Sequence, residues 1–313
     1  MRILVTGAAG HLGRQVVPAL LADSRVTSVL ATDRVAIAQT HPKLTTVARD
    51  LVRGGFADLL DGVDGLVHLA FHVDRRPGQD IAALNDATTC ALLDAAAGRT
   101  DVIVVASSIA AYGLRDADFD RLIETDPIAP SRGFYYAEQK MALERHLAAI
   151  SGTARARLVI ARPVSVAGPT IDPRRALQYK DKHLILPRVR HAIRFQALHE
   201  ADVGSAFLAL LDAPSGIYNV APDDWLPTDE VVRITGQKLV HAPRWVCRAL
   251  CQATWRLGLN SLDAEWLLMN DYPTLVGDNT RLRALGWRPT RTSADALADT
   301  VAAIRGHRQE ALV

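Results

Sequence analysis

The sequence predicts an α/β fold: a doubly wound parallel sheet with a smaller C-terminal lobe. Three observations predict it. Short apolar runs alternate with stretches of helical spacing through the first half, the pattern of βαβ units. The runs are apolar nearly throughout rather than at every second residue, as in strands covered on both faces. A glycine-rich turn joins the first run to the first helix. In order, residues 2–6 (RILVT) read as a strand, and 12–22 as a helix through Leu12, Val16, Ala19 and Leu20. Pro18 falls inside that helix, removes a backbone donor and predicts a local kink. Strands follow at 27–32, 65–70 and 101–106, with a helix over 80–97 between the last two. A helix near 134–150 leads to a strand at 157–161.

Residues 1–164 therefore form the predicted sheet domain, with 199–213 returning to it. Residues 165–313 mainly form the second lobe, with segments interleaved. A helical run (202–212) and a strand-like segment (216–221) precede a Trp-rich, helix-prone stretch over 222–290.

Composition narrows the function classes. Of 313 residues, 49% are hydrophobic and 22% charged, which excludes bulk disorder. Basic residues number 36 against 34 acidic, so the net charge of +2 offers no argument for nucleic acid or an anionic membrane as partner. Cys90, Cys247 and Cys251 are too few for a disulfide framework and lack zinc-ligand spacing, so no metal is expected. The chain passes from Met1-Arg2 straight into the first strand, and no apolar run reaches the ~20 residues of a membrane span. The expectation is a cytoplasmic protein without membrane contact.

The turn after the first strand reads Thr6-Gly7-Ala8-Ala9-Gly10-His11-Leu12-Gly13. Glycines there permit a sharp turn, close approach of backbone to a pyrophosphate and tight packing of helix on strand. The helix N-terminus adds free N–H groups and the positive end of its dipole. The spacing is G-x-x-G-x-x-G, and no Lys-Ser/Thr follows, which disfavours a nucleoside triphosphatase loop. Asp33 ends the second strand, twenty residues past Gly13. A carboxylate there accepts both hydroxyls of an adenosine ribose and repels a 2′-phosphate, favouring NAD over NADP. Arg34 blurs that choice, and the lesser alternative for Asp33 is a helix or turn cap.

Tyr136 and Lys140 stand four apart, on one helix face. A Lys ammonium beside a phenol lowers the phenol pKa, suiting the Tyr to move a proton while a carbon gives hydride to a cofactor. The strand at 101–106 runs into Ser107-Ser108, at the strand end where α/β sheets bind ligands. Ser108 there can hydrogen-bond the same substrate oxygen as Tyr136.

In this combination the sequence resembles the extended short-chain dehydrogenase/reductase family, the NAD-dependent epimerase/dehydratase group. The resembling motifs run in the family's order: TGAAGHLG (6–13), Asp33, Asp50-Leu51, HLA (68–70), Asn85, SSIAAYG (107–113), YAEQK (136–140), RPVSVAGP (162–169) and LHEAD (198–202). The closing DNTRLRALGWRP (278–289) also resembles that group. The resemblance implies a Rossmann-type sheet and NAD as cofactor. It places Gly7, Gly10 and Gly13, with His11 and Leu12 between them, at the pyrophosphate. Asp33 and Arg34 fall at the ribose, Asp50 and Leu51 at the adenine, and Leu69 and Ala70 beside the cofactor. Lys140 also bonds the nicotinamide ribose, and Pro163 lies at the nicotinamide. Ser108, Tyr136 and Lys140 are the implied catalytic set, with Ser107 a structural neighbour. Family members also often pair as homodimers through helices matching 85–97 and 134–150.

The reaction and substrate follow less directly. Family members that dehydrate sugar nucleotides carry Asp-Glu after the catalytic hydroxyl; Ile109-Ala110 stands there instead. Epimerisation of a nucleotide-linked sugar is the first reading, through transient hydride transfer with Tyr136 as acid/base. The second is a dehydrogenase or ketoreductase of a small alcohol or carbonyl compound. The third is a dinucleotide sensor without chemistry, against which an intact Ser-Tyr-Lys set argues. The segment 174–194 is rich in Arg and Lys, including Arg174, Arg175, Arg190 and Arg194, and suits a diphosphate, a solvated loop or an oligomer contact. Ser165 stands where epimerases commonly have an Asn facing the substrate diphosphate. Trp225, Trp245, Trp255 and Trp266 fit either a pocket or the core, and His199 and Asp202 read as structural hydrogen-bonding groups.

Overall fold

The structure, a computed structural model, describes residues 1–75, 78–115, 120–180, 182–189, 191–272 and 275–310. The strands are β1 (Arg2–Thr6), β2 (Ser28–Asp33), β3 (Leu44–Ala48), β4 (Gly65–His68), β5 (Val102–Ala106), β6 (Arg157–Pro163), β7 (Ser165–Ala167), β8 (His183–Pro187), β9 (Arg194–Phe195), β10 (Ala197–His199), β11 (Gly216–Val220), β12 (Leu226–Pro227) and β13 (Lys238–Ala242). The helices are α1 (Gly13–Ala22), α2 (Ile81–Ala97), α3 (Tyr135–Ile150), α4 (Glu200–Leu210), α5 (Thr228–Thr235), α6 (Arg244–Arg256), α7 (Leu268–Asp271), α8 (Thr280–Ala284) and α9 (Ser293–Glu310).

Among the described residues, seven strands form a parallel sheet in the order β11-β6-β5-β4-β1-β2-β3. This is a doubly wound, Rossmann-type arrangement. Side chains alternate across β1, so Ile3 and Val5 join one core with Val16, Val17 and Leu20 of α1 and Phe207 of α4. Leu4 faces the opposite core with Leu92 of α2 and Leu143 of α3. Both faces are dry, which is why the strands are apolar throughout. Ile3, Leu4 and Val5 are fully buried, and truncating such a side chain to Ala costs about 2–5 kcal/mol.

The differences from the sequence reading have physical causes. Strand β3 was not expected. It is a half-exposed edge strand (LTTVA) without a continuous apolar run, and β2 supplies its ladder. Pro18 lies inside α1, which still spans Gly13–Ala22, on the exposed side of the helix. The chain that returns to the sheet extends past residue 213, since β11 pairs with β6.

The remaining strands form two-stranded ribbons, β7 with β10, β9 with β12 and β8 with β13, outside the main sheet. Leu184, Leu226, Val231 and Leu297 share a small separate core there. His199 caps α4 by accepting from the Ala201 N–H, and its Nε2 lies 3.1 Å from Asp299. Asp202 accepts from the backbone N–H groups of Thr290 and Arg291 and so docks the C-terminal segment. Both residues are structural, as their sequence context suggested.

Candidate active site

The glycine turn follows from close approach. Gly7 has φ of +70°, and a Cβ there would lie 2.6 Å from the Ala70 nitrogen. The loop at Leu69–Ala70 therefore rests on the turn, with the Leu69 N–H donating to the Thr6 carbonyl. A Cβ on Gly13 would lie 2.4 Å from the Gly7 oxygen, so only glycine lets α1 start so close to the turn. Gly10 is less confined, its Cβ position meeting only the Gly7 oxygen at 3.1 Å. Leu12 precedes α1 with helical backbone and no side-chain cap, and no acidic residue stands in the first turn. The leading N–H groups of α1 thus have no side-chain acceptor, which fits an anionic pyrophosphate.

His11 turns its ring away, to Glu200 at 2.9 Å, tying the turn to α4. Asp33 accepts from the Ala9 N–H at 3.0 Å and the Val35 N–H at 3.3 Å, bringing the end of β2 against the turn. Beside it lies an open cleft of 650 Å³ lined by Arg34, Ala48, Arg49, Asp50 and Arg53. Asp50 accepts from the Val52 N–H at 3.1 Å, while the Leu51 side chain is buried in the core rather than facing the cleft. The residues from Gly7 to Asp50 thus fit a dinucleotide laid along the carboxyl ends of the strands.

At the next strand ends, Ser108 follows β5, is buried, and accepts from the Ala110 N–H at 3.2 Å. Burial pushes the Tyr136 pKa up, and Ser108 and the positive charge of Arg175 oppose that rise. This corrects the expectation that Lys140 acidifies the phenol. The Lys140 ammonium donates to the Ala106 carbonyl at 2.9 Å and sits 3.3 Å from the Phe71 ring centroid. It lies 5.8 Å from the Tyr136 ring centroid, and burial lowers its own pKa to about 7, against an opposing pull from Glu144.

Sequence reasoning missed Glu144 and gave no particular role to two residues it did name, Asn85 among the motifs and Trp266 among the tryptophans. Glu144, one turn beyond Lys140 on α3, accepts from the Ser107 hydroxyl and from Arg162 at 2.9 Å, all three buried. Its i+4 spacing from Lys140 was the available signal. Asn85 bonds both the N–H and carbonyl of His72, at 2.7 and 3.0 Å, and so fixes the loop that carries Phe71. Trp266 stacks on Tyr136 with centroids 5.1 Å apart and planes tilted by 31°. Around it, Met141, Leu268, Met269 and Tyr272 complete an apolar wall with Phe134. The Trp266 N–H donates to the Tyr135 hydroxyl at 3.0 Å.

Ser165 is exposed at the start of β7. Arg194 is buried, donates to the Asp120 carbonyl at 2.9 Å and lies over the Trp225 ring. Arg190 lies outside the described residues. Pro163 ends β6, opposite Val220. From the basic segment, Arg175 comes near Tyr136 and pairs with Asp74 at 2.7 Å, while Arg174 pairs with Asp172.

The seven-stranded parallel sheet, the glycine turn and the residues around Tyr136 agree with one family of sequences. The chain belongs to the NAD dependent epimerase/dehydratase family, whose sequence profile matches residues 3–221. Sterol demethylase protein B of Methylococcus capsulatus is 31% identical over 182 residues, covering 54% of this chain and 52% of that protein. The chain thus spans about half the length of the curated relative it matches. A short-chain dehydrogenase/reductase superfamily protein from Agrobacterium tumefaciens, solved with bound NAD, superposes with a TM-score of 0.75 at 22% identity, covering 100% of this chain and 99% of that one. Thermus thermophilus UDP-glucose 4-epimerase, solved with NAD, gives a TM-score of 0.71 at 23% identity over 98% and 99% of the two chains. These likenesses agree in fold along the whole chain.

Proposed function

We propose that this chain uses NAD to interconvert a secondary alcohol and its ketone, on an apolar substrate without a nucleotide handle. The observation that carries the reading is Tyr136 on α3 packed against the apolar wall of Trp266, with buried Ser108 just beyond the end of β5. NAD, held along the Gly7–Gly13 turn, supplies the hydride acceptor. Tyr136 takes the proton of the substrate hydroxyl in the oxidative direction and returns it to the oxygen in reduction. Ser108 hydrogen-bonds the same oxygen and fixes its distance from the phenol. Arg175 favours the phenolate through its charge. Lys140, its pKa lowered to about 7 by burial, stands one helical turn from Tyr136. Buried Ile109 and Ala110 bring no carboxylate to the centre, which speaks against elimination of water.

The substrate side supports the apolar reading. Arg174, Arg175 and Arg194 are engaged by Asp172, Asp74 and the Asp120 carbonyl rather than converging on a diphosphate. Nucleotide-sugar epimerisation is the second reading, favoured by the likeness to UDP-glucose 4-epimerase, which extends through the C-terminal lobe. Both require the phenol. Tyr136→Phe is expected to lower turnover by about 10²–10⁴-fold while keeping the thermal shift given by NAD. Unchanged turnover would remove Tyr136 as the acid/base.

A further inference from the structure

Helix α6 is amphipathic in the wrong sense for a core helix. Cys247 is its buried residue, and Cys251 and Trp255 turn inward with it. Away from that side Trp245 is 72% exposed and Leu250 48% exposed, about 140° apart around the helix, and Leu257 at the helix end is 73% exposed. The apolar surface continues onto the β8–β13 ribbon, which runs into α6 through Pro243. There Ile185 and Val240 are register partners and both are exposed.

Charge accompanies this apolar surface. Segments 182–189 and 236–260 contain six Lys and Arg residues and no Asp or Glu. Arg248 and Arg256 are exposed on α6, and Lys238 on β13. Asp271 approaches from α7, pairs with Arg244 and also feels the charges of Arg248 and His191. Exposed Trp and Leu flanked by basic side chains on a surface helix match the interface of an anionic bilayer, where the rings and chains enter the headgroup layer and the cations meet lipid phosphates. A second copy of the chain would bring like charges together across the same face. Nucleic acid would leave the leucines in water.

We propose that α6 and the β8–β13 ribbon dock this protein onto an anionic lipid surface. The overall charge of +2 conceals the patch, so the expectation of no membrane contact, drawn from net charge, does not extend to this face. No helix among the described residues is long and apolar enough to cross a membrane, and the docking is peripheral. The surface also reaches the candidate active site. The Trp255 N–H on the inner face of α6 donates to the Arg75 carbonyl at 2.9 Å, and α6 packs on the turn at Ala264–Leu267 that carries Trp266. An apolar substrate dissolved in the lipid would meet the wall over Tyr136 from this side.

The test is vesicle flotation of the full chain, with phosphatidylcholine alone and with about 30% phosphatidylglycerol added, at low and high salt. Anionic vesicles are expected to carry at least about tenfold more protein than neutral ones, with most of that binding lost at high salt. The Trp245→Ala/Leu250→Ala/Leu257→Ala variant and the Arg248→Glu/Arg256→Glu variant are each expected to lose about tenfold or more. Both should keep the wild-type melting temperature and NAD shift, which separates lost docking from lost folding. Equal flotation with the two vesicle types, or wild-type binding by both variants, would overturn the proposal. So would vesicle-independent loss of an oligomer in the Trp245 variant, measured by sedimentation velocity, because the face would then join copies of the chain.

Discussion

The cofactor side and the substrate side of Tyr136 are built by opposite means. The cofactor side is made of backbone: Gly7, Gly13 and the end of β2 leave no space for side chains, and their positions follow from strand and helix geometry. The proposed substrate side is made of side chains from distant segments, with Phe71 and Trp266 both against the Tyr136 ring. The first can scarcely change without losing the fold, whereas the second can be exchanged without touching it. One scaffold thereby keeps its cofactor and varies its substrate.

Four substitutions, two of them followed across pH, sharpen that contrast, beginning with the largest effect. Lys140→Met should lower kcat by about 10²-fold or more. The same change should raise the melting temperature of the cofactor-free protein by a few degrees, because it removes a cation that burial disfavours. The sign follows from linkage. The unfolded lysine holds its proton up to about 10.5 and the folded one only to about 7, so its destabilising effect is full below 7 and gone above 10.5. The thermal advantage of the variant should shrink across that interval; a constant advantage would mean that packing, not charge, is responsible.

Gly13→Val comes next. Its side chain would collide with the Gly7 and Ala8 carbonyls, so the NAD thermal shift should disappear together with several degrees of stability. Trp266→Ala, on the exchangeable side, should raise KM for an apolar alcohol by about tenfold and leave the NAD shift intact. Equal damage to both would show that the two sides are not separable. The smallest effect concerns His68, buried between Thr6 and Thr89. Burial and then Lys140 depress its pKa from 6.5 to about 3. The unfolded chain therefore takes up a proton that the folded one refuses, and stability should fall as pH drops from 6.5 towards 3. His68→Asn should flatten that part of the melting-temperature profile.

The same contrast explains what the sequence revealed. Residues 2–13, Asp33, Ser108 and the Tyr136–Lys140 pair were legible because each is fixed by its neighbours in the chain: a strand end, a glycine spacing, one helical turn. Trp266 looked like any other tryptophan, since its role depends on a turn more than a hundred residues from Tyr136. Arg175 was visible only as one cation in a basic segment. Edge strand β3 lacked an apolar run because it is only half buried. The direction of the Tyr136 shift was misread because spacing shows that Lys140 shares its helix face, but not that the ammonium is drawn to the Ala106 carbonyl and the Phe71 ring.

The most direct measurement is the yield of NADH per active site when NAD is mixed with cyclic or long-chain secondary alcohols and, separately, with UDP- and dTDP-sugars. The proposed reaction predicts NADH accumulating well beyond one equivalent with an apolar alcohol, and none with Tyr136→Phe. NADH that never exceeds one equivalent, together with interconversion of a nucleotide sugar, would contradict the apolar-alcohol reading and establish epimerisation in its place.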